Sequence, residues 1–167
     1  QQVAQQGCPV SGVLSACLSH QDRDIRQAAV FGCGVVGESG VSSYEPFIVS
    51  VVPVLLEQLK APKTPSTAII SDNIISACIT MMTGSSTVKS KQHEIVPILL
   101  SAFPVTADSA EFNNCYGFLA SLLQDAQAKP QLMTVNILES VLEACHGSVS
   151  KHLSPNTKGL LKVHLAD

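Results

Sequence analysis

Proline recurs at a fixed interval in one local setting, and that interval constrains the fold more than any other feature of the chain. The segments Cys8-Pro9-Val10-Ser11-Gly12-Val13-Leu14, Val52-Pro53-Val54-Leu55-Leu56 and Val96-Pro97-Ile98-Leu99-Leu100 align, and their prolines stand 44 residues apart twice over. A period of about 40 to 47 residues belongs to arrays whose unit is a pair of helices, neither of which can bury its apolar face alone. Around the second proline, Phe47, Ile48, Val51, Val52, Leu55, Leu56 and Leu59 recur at steps of one, three and four. That is a wide apolar stripe at helical period. A strand over Val51 to Leu56 would place Pro53 in mid-ladder, where it breaks the pairing. In a helix, Pro53 and Pro97 predict kinks.

The same logic divides the chain into four approximate units, 1–40, 41–86, 87–127 and 128–167, each with a leading and a second helix. Ser42 and Glu45 fit a capping box for the leading helix of the second unit, with Pro46 in its first turn. The second helices are expected at Asp22 to Val36, with Ile25, Ala28, Ala29, Gly32, Cys33 and Val36 on one face, and at Ser66 to Thr83, stopped by Gly84. In the third unit the stripe is Phe112, Cys115, Tyr116, Leu119, Leu122 and Leu123, with Asp108 as N-cap and Glu111 completing a capping box. A helix from Pro130 to His146 and a short one after Ser154-Pro155 close the array. The expected fold is an all-α HEAT-repeat solenoid, a right-handed α-α superhelix of about four antiparallel helix pairs. It is read as one array, part of a longer protein. The Ser/Thr/Lys-rich stretch from Gly84 to Gln92 is expected to be a loop.

Composition removes several classes. Hydrophobic residues make up 46% and charged residues 14%, which excludes intrinsic disorder. Ten Lys plus Arg, scattered in a chain of net charge −3, leave no footprint for direct nucleic-acid binding. The run Val51 to Leu56 is far too short for a membrane span, so no insertion is expected. Six cysteines in apolar segments, none in a C-x-x-C pair, read as buried reduced thiols of an intracellular protein. The five histidines show no metal-ligand spacing. Gly32-Cys33-Gly34-Val35-Val36-Gly37 is a literal G-x-G-x-x-G. A dinucleotide site needs a crossover helix directly after it, and Ser39, Gly40, Ser42, Ser43 and Pro46 leave no room for one. The glycines read instead as places where a helix lets a neighbour pack closely. No catalytic role and no cofactor is expected.

Polar residues at the starts of the second helices carry the functional expectation. Asp22, Asp24 and Gln27, then Asp72, Asn73 and Ser76, then Glu111, Asn113 and Asn114 recur from unit to unit. In a solenoid these helices line the concave surface, so Asp24, Gln27, Asp72, Asn73, Glu111 and Asn114 would form an acidic, amide-bearing stripe for a lysine-rich protein partner. Helix capping is the competing role for Asp22, Asp72 and Glu111. Lys60, Lys63, Lys89 and Lys91 read as solvated loop charge.

Asp24-Ile25-Arg26-Gln27-Ala28-Ala29, Gly32 and Gly34, and Tyr44 with Pro46-Phe47 resemble the C-terminal HEAT repeats of importin beta-type (karyopherin beta) nuclear transport receptors, most of all the importin beta-three branch. Asn73-Ile74-Ile75-Ser76-Ala77, Ile95-Val96-Pro97, Phe103-Pro104 and Leu153-Ser154-Pro155 follow in the order of that branch. The loop after Gly84, the stretch from Pro130 to Ser150 and the third glycine, Gly37, depart from it. The resemblance implies a carrier moving between cytoplasm and nucleus through the nuclear pore. Such a carrier binds protein cargo with basic localisation signals on its inner surface and phenylalanine-glycine nucleoporins on its outer surface. Cargo is released to the GTP form of the GTPase Ran, which binds chiefly N-terminal repeats. The alternatives are a HEAT scaffold subunit of phosphatase or condensin type and, more distantly, a nucleotide-dependent enzyme.

Overall fold

The computed structural model describes residues 9–125, 132 and 134–163. These residues fold entirely as helices and loops: α1 (Pro9–Cys17), α2 (Arg23–Glu38), α3 (Glu45–Leu59), α4 (Ala68–Gly84), α5 (Ser86–Ser90), α6 (Gln92–Ser101), α7 (Phe112–Leu123), α8 (Val135–His146) and α9 (Pro155–Lys162). Two 3-10 turns, Ser42–Tyr44 and Ser148–His152, complete them.

Several boundaries have a local cause. Asp22 starts α2 by accepting the backbone N–H groups of Asp24 at 2.8 Å and Ile25 at 3.4 Å. Those bonds hold its carboxyl below the ordinary aspartate range. Ser154 does the same for α9 through the Thr157 N–H, at 3.1 Å, with Pro155 in the first turn. The α3 stripe is buried in full, from Phe47 to Leu59. Neither Pro53 in α3 nor Pro97 in α6 ends its helix, and both face solvent.

Some expectations give way. The capping box of Ser42 and Glu45 does not form. A 3-10 turn runs directly into α3, and the Glu45 carboxylate reaches away to accept from Ser85 Oγ at 2.6 Å. Nor does Asp108 cap α7, which begins later, at Phe112, with no side-chain cap. On α2, Ile25 and Ala28 are exposed and Val30 is buried instead. On α7, Ala120 is buried while Leu122 is only partly so. The stretch after Gly84 is a helix, α5, because Ser85 Oγ caps the Val88 N–H at 3.0 Å and Val88 is buried. The expected start at Pro130 lies outside the described residues; α8 begins after Thr134, whose hydroxyl accepts the Ile137 N–H.

The helices pack in two rows. On one side α3 touches α6, and α6 touches α8; on the other α2 touches α4, α4 touches α7, and α7 touches α9. The packing within a unit joins α1 to α2, α3 to α4 and α8 to α9. Between the rows lies one continuous apolar core, running from Leu18 to Leu161. Full burial of a Leu, Ile or Val side chain contributes about 1.5 to 3 kcal/mol, and this core holds many of them. In the third unit Phe103 and Val105 of the α6–α7 loop are buried. Tyr116 holds that loop, donating its hydroxyl to the Val105 carbonyl at 2.9 Å with the Phe103 ring edge-on at 5.8 Å.

Candidate interaction surface on the second row

Two seams build this surface, and α4 takes part in both. Toward α2 it presents small residues: a Cβ added at Gly34 would meet the Ala77 Cα at 3.2 Å, and one at Gly37 would meet Met81 Cγ at 2.4 Å. One at Gly84 would fall 1.9 Å from the Gly37 carbonyl oxygen. Gly34 and Gly37 of the G-x-G-x-x-G string thus let α2 and α4 approach to backbone contact, while the first glycine, Gly32, makes room for Leu14 of α1. Because contact positions rise together along both helices, α2 and α4 run parallel.

Toward α7 the same helix is polar. Asp72 is completely buried, and its Oδ2 accepts the N–H groups of Thr106, Ala107 and Asp108 at 3.0, 2.6 and 3.1 Å. Its Oδ1 accepts from Lys63 Nζ at 2.7 Å, and the same ammonium donates to the Pro104 carbonyl at 2.6 Å. Asp108 in turn accepts from Asn73 Nδ2 at 2.7 Å and Gln27 Nε2 at 3.3 Å. Ser76 Oγ donates to Glu111 Oε2 and accepts from Asn114 Nδ2, the latter at 2.8 Å.

Five of the six residues expected on a binding stripe, Gln27, Asp72, Asn73, Glu111 and Asn114, are therefore brought together, but facing one another. Asp72 is sealed from solvent and Asn73 shows only an edge to the cleft beside it, which corrects their assignment to an exposed stripe. A carboxylate at the start of α4 finds more donors in the loop of the next unit than solvent access would leave it. Asp24 stands apart and exposed, paired with its neighbour Arg23 at 3.2 Å. Lys63 is likewise no solvated loop charge, since it clamps the buried Asp72 carboxylate.

What remains open on this row is a cleft of about 530 Å³ lined by Phe31, Val35 and Glu38 of α2, Asn73, Ser76, Thr80 and Thr83 of α4, and Glu111 and Asn114. Phe31, Val35 and Glu38 stand at i, i+4 and i+7, a second face of α2 that lies off its core-facing stripe. On the opposite row a smaller apolar pocket of about 180 Å³ lies between α3, α5 and α6, bounded by Val52, Pro53, Leu56, Val88, Ile95 and Ile98.

Cys33, Cys78 and Cys115 sit beneath these surfaces; of the other thiols expected to be buried, Cys145 is buried, Cys17 is only half-buried and Cys8 lies outside the described residues. Burial pushes Cys33 and Cys78 up to about 12, Cys78 with a further contribution from Cys33, and raises Cys115 as well. A thiol so shifted is almost wholly protonated and unreactive at neutral pH. Among the described residues no group of three or more His, Cys, Asp or Glu could hold a metal ion, and no helix is long and apolar enough to cross a membrane. No protein-family model matches this chain, and no solved structure matches it.

Proposed function

We propose that the chain is a run of HEAT units from a nuclear transport receptor of importin beta type, wound as a right-handed superhelix and acting by binding proteins rather than by catalysis. The observation that carries this reading is the pairing of two surfaces on a two-row helical array. One row bears a cleft with carboxylates at Glu38 and Glu111, and the other an apolar pocket between successive leading helices. In such a receptor the cleft side takes cargo with basic signals and the pocket side takes phenylalanine-glycine nucleoporins. The receptor then works in cytoplasm and nucleus. The motif succession from Asp24 to Pro155 supports the same family.

Two measurements test it. This chain should bind a phenylalanine-glycine repeat peptide, and Ile98→Asp, at the half-buried rim of the pocket, should abolish that binding. In the complete protein, Ran loaded with GTP, but not with GDP, should displace a lysine-rich cargo. A protein that ignores both the repeat peptide and Ran is a HEAT scaffold of another kind.

A further inference from the structure

We infer that the cleft between α2, α4 and α7 binds an extended protein segment in which an aromatic or aliphatic side chain adjoins a lysine or arginine. The inference rests on the proposal that this row is the cargo side; of the expected stripe it keeps Glu111 and Asn114, and it adds Phe31, Val35 and Glu38.

Three observations select the occupant. First, Phe31 is 56% exposed and Val35 49%, one helical turn apart on the same wall. Large apolar side chains left open beside a concavity mark a contact surface more than a solvated helix face does. Second, the floor is low because Gly34 and Ala77 bring the backbones of α2 and α4 together, so the concavity comes from tight packing and is built into the fold. Third, the lining includes two carboxylates and no Lys, Arg or His. Glu38 makes no hydrogen bond or ion pair among the described residues, and Glu111 engages only one oxygen, with Ser76. Complementary charge across the rim steers and orients a basic partner.

The chemistry also excludes the competitors. Phosphate-rich nucleic acid would meet carboxylates with no compensating cation. A metal ion would need more ligands than two separated carboxylates supply. Asn114 and Thr80 fit an extended backbone. The Asn114 N–H groups are engaged by Ser76 and Thr80, at 2.8 and 3.2 Å, and its side-chain oxygen is left to accept a peptide N–H.

The test uses the whole chain and a fluorescein-labelled Lys-Phe-Lys-Leu-Lys peptide, followed by anisotropy. One comparison peptide carries Glu for Lys, and another carries Ser for Phe and Leu. Phe31→Ser and Glu38→Lys each change an exposed residue and should weaken binding by at least about tenfold. Asp24→Lys, which alters net charge by the same amount as Glu38→Lys at the exposed start of α2, should leave it within about twofold. Both comparison peptides should fail to bind. The proposal is overturned if Asp24→Lys weakens binding as much as Glu38→Lys, if Phe31→Ser is silent, or if the Glu-bearing peptide binds equally well. Ran-GTP release of cargo with a silent Phe31→Ser would sink the cleft assignment and leave the transport reading standing. Peptide binding at the cleft with no response to Ran would do the reverse.

Discussion

The two faces of α4 meet their neighbours by opposite means. Toward α2 the contact is made of absences, Gly34, Gly37 and Gly84, and no side-chain hydrogen bond joins the two helices among the described residues. Toward α7 it is made of bonds, with Asp72 gathering three backbone N–H groups and an ammonium, and Ser76 linking Glu111 to Asn114. The first seam is therefore sensitive to volume and indifferent to polarity, and the second is the reverse. One helix can be welded into an array by either route, and a single sequence uses both.

That contrast can be broken most forcefully at Asp72. Replacing it by Ala leaves Lys63 and three N–H groups without their acceptor, which should cost about 3 kcal/mol and lower the melting temperature by about 10 °C. Asp72→Asn keeps the shape and one acceptor and should fall between that variant and the parent in urea unfolding. A loss below about 1 kcal/mol for Asp72→Ala would show that the second seam does not depend on its carboxylate. Next comes Gly84→Ala, which forces α2 and α4 apart at the Gly37 carbonyl and should cost about 2 kcal/mol. Gly34→Ala, where the added carbon sits 3.2 Å from its nearest neighbour, should cost under about 1 kcal/mol. If the order of these two reverses, the seam is not closed where the glycines indicate. Of similar size, Tyr116→Phe removes one buried bond to the Val105 carbonyl and should cost about 1 kcal/mol, read by the same unfolding curves.

The thiols sharpen the comparison without altering bulk stability. Cys33 and Cys78 lie at the first seam, and Cys115 lies near Asp72 and Glu111 at the second. At pH 8 all three should resist alkylation, because burial has raised them and thiolate is scarce. Gly84→Ala should speed labelling at Cys33 and Cys78, and Asp72→Ala at Cys115, as judged by mass spectrometry of the labelled peptides.

Helices were the legible part of the sequence because apolar spacing is a one-dimensional signal. The α3 stripe from Phe47 to Leu59 needs no knowledge of what covers it. The all-helical class and the packing role of Gly34 and Gly37 follow from the same kind of pattern. Partners across seams are a three-dimensional matter. Nothing local to Asp72 announces that Lys63 and the backbone of Thr106 to Asp108 will surround it, so a polar residue at a helix start reads as surface. For the same reason Asp108 looks like a cap when its carboxylate serves Gln27 and Asn73. Phe31 and Val35 are illegible for another reason: they fall off the apolar stripe of their helix, and nothing in the sequence tells an apolar residue left open beside a cleft from one left open on a bare surface.

Asp72 also decides how the molecule responds to force. A hydrogen bond loses most of its strength when stretched by a fraction of an ångström or tilted past its angular limit. Three of them on one oxygen, all to a single short loop, let go together. Pulled along its length, the second seam is a brittle latch, holding to a threshold and then releasing as a unit. The first seam has no such bonds to snap and resists through close packing along the length of α2 and α4. Stretching the array should therefore part the α7 side of the cleft, where Glu111 and Asn114 stand, in one step, while the wall that carries Phe31 stays seated on α4.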